Sequence, residues 1–526
     1  MAAMKTRPPD HRPELAGLIL GVVAGWAALW ILGEAFVLTG EMGGYGWPGY
    51  ALSGWQAQQG WFTRIDALRT PLHPILLSGF GEHLGSYADG GILLSSLSCG
   101  LAVLCAGLGA AALSGGWAGG LAALACGLAL GIHGAPSATN QYPFLAGLCV
   151  AAVGLGAVAS RLPGGVTGAL AGAALGLCVA AESRGLLLVP AVVVLVGVGA
   201  VRASGGARVR LVVGFVLALS AGLWLHAAYQ EAQHARMIEA PGEPTRQARQ
   251  LDQQREVIHR WVQQDADLWG PCAALTTSNL LTADYLSTDC ARAVLTENLT
   301  VRIPRHLPLS GGLTAAGLLL LLLPARGRRG GSVEGVAVGL LAGGGVLALA
   351  TLTPMPPRYV IQQAPLLALI GAAGAGRLAD WLPSPLPGLA MIGLTGWVVA
   401  GGWDGRSRSD RPALAAHYDT YAEVHRIVGP MLAEDDVLID CTNLYLELAL
   451  LPRRTRSGFL NRDASLQACT DWIAQPEQAD GDAYILVRPG RSLHGQVDVS
   501  AAVEADGRWE PVRSERDWVL WRSVQR

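Results

Sequence analysis

Charge is scarce in this chain. Of its 526 residues only 15% are Asp, Glu, Lys or Arg, and lysine is almost absent. Soluble globular proteins carry roughly 25% charged residues, so a water-soluble protein throughout is excluded. Net charge is −2, which removes the basic surplus that nucleic-acid binding requires. No Gly-rich phosphate loop, HExxH or GxSxG stretch occurs, and no internal repeat stands out. What remains is 51% hydrophobic and unusually rich in glycine, with 69 residues of it. The chain is expected to be embedded in a membrane over most of its length.

Apolar runs long enough to cross a bilayer fall at 14–37, 88–113, 117–133, 142–160, 164–181, 185–202, 208–229, 309–325, 332–352, 359–377 and 385–403, about eleven spans. The first follows Lys5, Arg7 and Arg12 and has no small-residue cleavage site, so it reads as a retained anchor. With the N-terminus in the cytoplasm, the inner set holds Lys5, Arg7, Arg12, Arg161, Arg202, Arg208, Arg210, Arg326, Arg328, Arg329 and Arg377. The outer short loops hold Arg64, Arg69, Arg184 and Arg358. The positive-inside rule then places the C-terminus outside.

Cysteine usage is consistent with this. Cys99, Cys105, Cys126, Cys149 and Cys178 lie in apolar spans, where cysteine acts as a small hydrophobe. Cys272 and Cys290 share one outer segment and Cys441 and Cys469 another, which suggests two disulfides in an oxidising compartment. The membrane part is expected over 1–403, with outer loops at about 38–87 and 230–308, and a soluble α/β domain over 404–526. In that tail "YAEVHRIVGPML" has helical spacing, and "DVLIDC", "AYILVR" and "DWVLWR" read as strands.

Chemistry-bearing residues concentrate in the outer loops. Glu34 and Glu41 flank the outer end of the first span; each reads as a general base at the membrane surface or as a solvated helix end. In "DALRTPLHPILL", Arg69 presents a planar fork suited to phosphate and His73 can donate or carry a proton. Pro71 and Pro74 hold the backbone stiff. The same segment also reads as a structural turn entering an interfacial helix. Glu182, Ser183 and Arg184 stand between two spans, either as a tight turn with an ion pair or as part of a site. Arg358 and Tyr359 open a late span after a Pro-rich turn, a position also suited to interfacial anchoring. If Arg69, Arg184 and Arg358 converge, three guanidinium groups would suit a lipid-linked phosphate.

The ordered set "YALSGWQAQQG", "RTPLHP", "SRGLLLVP" and "PRYVIQQAPLLAL", followed by a large outer tail, resembles the GT-C class of membrane glycosyltransferases. The likeness is to the group around protein O-mannosyltransferases and lipid A aminoarabinose transferases. It implies a many-helix GT-C-like bundle and sugar transfer from a polyisoprenyl-phosphate donor to a glycan, lipid or protein acceptor, at the outer face of a bacterial inner membrane. Arginines would hold the donor phosphate and an acid of the first outer loop would deprotonate or orient the acceptor. That acid usually precedes the helix that here begins at Tyr50, but "YGWPGY" has no carboxylate, and "SATNQYP" offers only Asn140 and Gln141. Glu41 is the first choice for the role, Asp66 the second and Glu34 the third. Arg69, His73, Arg184, Arg358 and Tyr359 are the expected binders of the lipid phosphate. A carboxylate pair could hold a divalent cation, though no ligand set for one is evident. The alternative is a catalytically inactive GT-C-like protein that binds lipid-linked sugar or partners an active transferase.

Overall fold

The computed structural model describes residues 12–33, 54, 57–58, 72–84, 87–137, 141–237, 270–272, 288–303, 317, 319–321, 331–345, 357–379, 381–382, 386–407, 426–433, 436–440, 455–457, 482–487, 492–493 and 497–524. The chain divides into two compact units. One comprises Met1–Val37, Thr70–Leu72 and Leu94–Ser409; the other comprises Leu38–Arg69, His73–Leu93 and Asp410–Arg526.

The first unit is built mainly of apolar helices. In chain order they are α1 (Arg12–Gly33), α2 (Leu72–Leu84, most of which belongs to the other unit), α3 (Tyr87–Ser114, of which Tyr87–Leu93 belongs to the other unit), α4 (Gly116–Ile132), α5 (Tyr142–Arg161), α6 (Gly165–Ala181), α7 (Val189–Arg202), α8 (Gly205–Met237), α9 (Asp289–Glu297), α10 (Gly331–Val336), α11 (Pro357–Ala379) and α12 (Leu386–Ser407). A 3₁₀ stretch, Ser183–Leu188, leads into α7, and α10 continues as a π-helical turn, Ala337–Ala342. Five described helical segments are long and apolar enough to cross a membrane. Large apolar side chains such as Leu20, Ile31, Leu217 and Trp224 are exposed on α1 and α8, as expected of helices facing lipid. Within the expected span 309–325 only residues 317 and 319–321 are described.

Glycine spacing explains how the bundle packs. Gly17, Gly21 and Gly25 recur every four residues, so they share one face of α1. Against them lie Trp117, Gly120 and Ala123 of α4. On α6, Gly168, Gly172 and Gly176 repeat the pattern and meet the backbone of α8 at Leu211, Phe215 and Leu219 to Gly222. Between helices surrounded by lipid there is no hydrophobic drive to associate; close van der Waals contact replaces it, and small residues permit that contact. The high glycine content is therefore a packing requirement.

In the second unit a five-stranded sheet has the order β2-β1-β3-β7-β6, from β1 (Val437–Asp440), β2 (Thr455–Ser457), β3 (Ala483–Val487), β6 (Trp509–Glu515) and β7 (Trp518–Ser523). A separate small hairpin joins β4 (Ser492–Leu493) and β5 (Val497–Asp498) ahead of helix α13 (Val499–Asp506). β1 runs parallel to β2 and β3, and β7 is antiparallel to β3 and β6. All five residues of β3 are buried, as a central strand covered on both faces demands. Side chains alternate along it. Ile485 and Val487 join Ile439, Trp521 and Val503 of α13 on one face. Tyr484 and Leu486 join Leu438, Leu520, Trp518 and Ile427 on the other. The three tail segments expected as strands thus supply β1, β3 and β7. Cys272 and Cys290 form a disulfide, and the five cysteines of the apolar spans are free and buried. Cys441 and Cys469 lie outside the described residues.

Candidate functional site

Chain direction sorts the bundle's two ends. At one end the Arg161 Nε at the close of α5 donates to the Ala112 carbonyl near the close of α3, at 2.9 Å. The Arg202 Nη1 at the close of α7 donates to the Ser160 carbonyl at 3.1 Å and to Glu334 of α10. Arg377, near the close of α11, lies against Gly335. α5, α7 and α11 therefore begin at the opposite end, where α6 finishes. That end carries the 3₁₀ stretch with Arg184, and the first turn of α11 with Arg358 and Tyr359. Leu187 and Gly345, just past the π-helical turn, also approach each other there.

Arg184 is set by local geometry. α6 stops at Glu182, whose backbone is extended, and the Gly185 N–H donates to the Glu182 carbonyl at 2.8 Å. The tight turn folds the 3₁₀ stretch back over the last turn of α6. A Cβ at position 185 would lie 2.8 Å from the Cys178 carbonyl carbon and 2.9 Å from the Val179 nitrogen, so only glycine permits the approach. The turn brings the Glu182 carboxylate to the Arg184 Nε at 2.9 Å. The ion-pair reading of this segment is thus realised, and the carboxylate orients the guanidinium. Burial raises the Glu182 pKa above the ordinary carboxylate value, and Arg184 pulls it the other way. The second oxygen, Oε2, is buried with no hydrogen-bond partner among the described residues.

The remaining expected residues are placed unevenly. His73 is fully buried as the second residue of α2, with Pro74 next to it in the first turn, so the proline corner does enter a helix. Arg358 and Tyr359 are helical residues at the start of α11. Glu34, Glu41, Asp66 and Arg69 lie outside the described residues. Sequence reasoning left Glu182 between a turn and a site, did not place it among the expected binders or bases, and did not single out Gly185; the signal available was a Glu-Ser-Arg-Gly run isolated between two apolar spans. Among the described residues no group of three or more His, Cys, Asp or Glu side chains could hold a metal ion.

No protein-family model and no curated protein sequence matches the chain. Solved structures do. ArnT from Cupriavidus metallidurans, crystallised bound to undecaprenyl phosphate, superposes with a TM-score of 0.57 over 98% of both chains at 13% identity. The chain has the GT-C fold. The same ArnT in the apo state gives 0.57 over 96% of this chain and 97% of that one, also at 13% identity. The oligosaccharyltransferase of Archaeoglobus fulgidus, tethered to an acceptor peptide, gives 0.50 at 14% identity over 91% of this chain and 69% of that one. The likeness to ArnT thus spans nearly the whole chain.

Proposed function

We propose that the protein is a glycosyltransferase that moves a sugar from a polyisoprenyl-phosphate donor to an acceptor at the outer face of a bacterial inner membrane. The observation that carries this reading is the likeness, over 98% of each chain, to an ArnT structure holding undecaprenyl phosphate. The arginine chemistry supports it. Arg184 is held by Glu182 at the end of the bundle where α11 begins with Arg358 and Tyr359. Guanidinium groups recognise phosphate through paired donors, and in this reaction the phosphate leaves. In this reading Arg69, Arg184 and Arg358 stabilise the charge that grows on it as the bond to the anomeric carbon breaks, with His73 and Tyr359 alongside. The acceptor hydroxyl forms the new bond and gives its proton to an outer-loop carboxylate, Glu41 first and Asp66 second. The N-terminus is cytoplasmic, the tail from residue 404 onward is an extracytoplasmic domain, and the bundle over 1–403 is the membrane part.

One observation favours a second reading, a lipid-sugar binder without catalysis: "YGWPGY" and "SATNQYP" carry no carboxylate. Reconstitution with polyprenyl-phosphate sugars separates the two. Turnover by the wild type that is abolished in Glu41→Gln or Asp66→Asn supports the enzyme. Donor binding that depends on Arg358, with no turnover for any donor, supports the binder. A protein that neither turns over nor retains a polyprenyl phosphate would sink both.

A further inference from the structure

Two of the five free cysteines touch each other. Cys149 lies in the first half of α5 and Cys178 in the last turn of α6. Both are buried, and their sulfurs are 3.5 Å apart, one thiol hydrogen-bonded to the other. The pair sits under the turn that carries Arg184. The Cys178 carbonyl oxygen accepts the Glu182 N–H at 2.9 Å, and Gly185 packs on the Cys178 carbonyl carbon.

A single cysteine in an apolar span acts as a small hydrophobe. Two with sulfurs in contact across a helix pair have a further chemistry open to them. A disulfide needs an S–S distance of about 2.05 Å, so the gap to close is 3.5 − 2.05, about 1.5 Å. Both sulfurs swing about χ1, so closure asks little of the two backbones. Burial selects the oxidant. Exchange with a disulfide runs through a thiolate, and apolar surroundings disfavour the thiolate. Polar disulfides are therefore poor reagents here. An apolar acceptor that takes electrons and protons together needs no ionised thiol. Leu177, next to Cys178, is 37% exposed, so α6 is open beside the pair to a reagent dissolved in hydrocarbon.

We propose that Cys149 and Cys178 form a modification site, a dithiol that a lipid-soluble quinone oxidises to a disulfide. Two S–H bonds break and one S–S bond forms. Two electrons and two protons pass to the quinone oxygens, giving the hydroquinone. The new bond ties α5 to α6 across 29 residues of chain and fixes the helix end on which the Arg184 turn rests. The site does not depend on the proposed sugar transfer.

The test uses the full chain in liposomes, treated with a fully ring-substituted quinone, which cannot add to thiols, or with oxidised glutathione. The protein is then denatured, alkylated, digested and mapped by mass spectrometry. The quinone is expected to link the peptides that carry Cys149 and Cys178, with the loss of two hydrogens. Oxidised glutathione is expected to leave both open to alkylation. Quinone-treated wild type should unfold about 3 °C above the untreated protein, and Cys149→Ala and Cys178→Ala should show no such rise. Absence of the linked peptides after quinone treatment overturns the proposal, and this arm needs no variant. A link formed as readily by oxidised glutathione overturns the apolar route. A rise of equal size in either variant overturns the tie between α5 and α6.

Discussion

Replacing Gly185 by alanine tests whether the fold of the Glu182–Arg184 turn matters. The added Cβ would fall 2.8 Å from the Cys178 carbonyl carbon and 2.9 Å from both the Cys178 oxygen and the Val179 nitrogen. Ordinary contact begins at 3.4 Å, so the shortfall against the carbon is 3.4 − 2.8, about 0.6 Å. All three opposing atoms are backbone of the last turns of α6, a helix pinned along its length to α8 by Gly168, Gly172 and Gly176. The 3₁₀ stretch must move instead, and it carries Arg184. Overpacking of this kind costs about 1–3 kcal/mol. A displacement approaching 1 Å of a group that holds a substrate costs up to about 100-fold in rate. Gly197→Ala, twelve positions further along the same span, is the matched control, because nothing lies within 4 Å of a Cβ there. It should be neutral or stabilising by up to about 1 kcal/mol, from the better helix propensity of alanine. Thermal unfolding in detergent reads the stability term, and donor turnover, or polyprenyl-phosphate retention if turnover is absent, reads the positioning term. If Gly185→Ala matches wild type in both, the turn does not position Arg184 and the reasoning fails.

Other outcomes follow from the same geometry. Because burial raises the Glu182 pKa, its contribution to stability is full below the unfolded value near 4.5 and is lost as pH rises through the folded value; Glu182→Gln should flatten that part of a stability-against-pH curve. Gly21→Val drives a branched side chain into the backbone of Gly120 and should cost about 3 kcal/mol or more, whereas Val23→Ala on the exposed part of α1 should unfold like wild type. Replacing both Cys272 and Cys290 by serine opens a bridge between residues 18 apart. That should lower stability by about 3 kcal/mol, and the wild type, unlike the double variant, should change gel mobility on reduction. Trp518→Ala empties a fully buried site between β7 and Ile427 and should cost about 3–5 kcal/mol, read as release of the sheet to limited proteolysis.

The bundle was legible in the sequence because membrane helices announce themselves by length and apolarity, and their ends by arginine. Helices 12–33, 87–114, 116–132, 142–161 and 165–181 begin and end within a few residues of the expected spans. Where the backbone departs from an α-helix the pattern gave no warning: the run 185–202 opens as a 3₁₀ stretch to Leu188, and the run from 332 turns π-helical at Ala337. Hydropathy reports burial in lipid and is indifferent to hydrogen-bond register. Strands "DVLIDC", "AYILVR" and "DWVLWR" were readable from β-branched and aromatic content. β2 and β6 were not, because "TRS" and "WEPVRSE" are polar edge strands with little to distinguish them from loop.

The arginines show where one-dimensional reading stops. Arg161, Arg202 and Arg377 were each counted as a mark of the inner face, a use in which every cation is independent and interchangeable. The fold brings Arg161 and Arg202 to Glu334 and sets Arg377 against the neighbouring Gly335, and Glu334 stands alone in a Gly- and Val-rich run where nothing nearby in sequence suggests a partner. The residues that meet there come from positions 161, 202, 334 and 377, so only the return of α5, α7 and α11 to one end creates the contact. At the other end, Arg184 needed no long-range information beyond its own turn, since Glu182 and Gly185 are its neighbours in sequence. An ion pair made by one turn can be read from a string of letters; one made by distant helix ends can be read only once the helices have been placed.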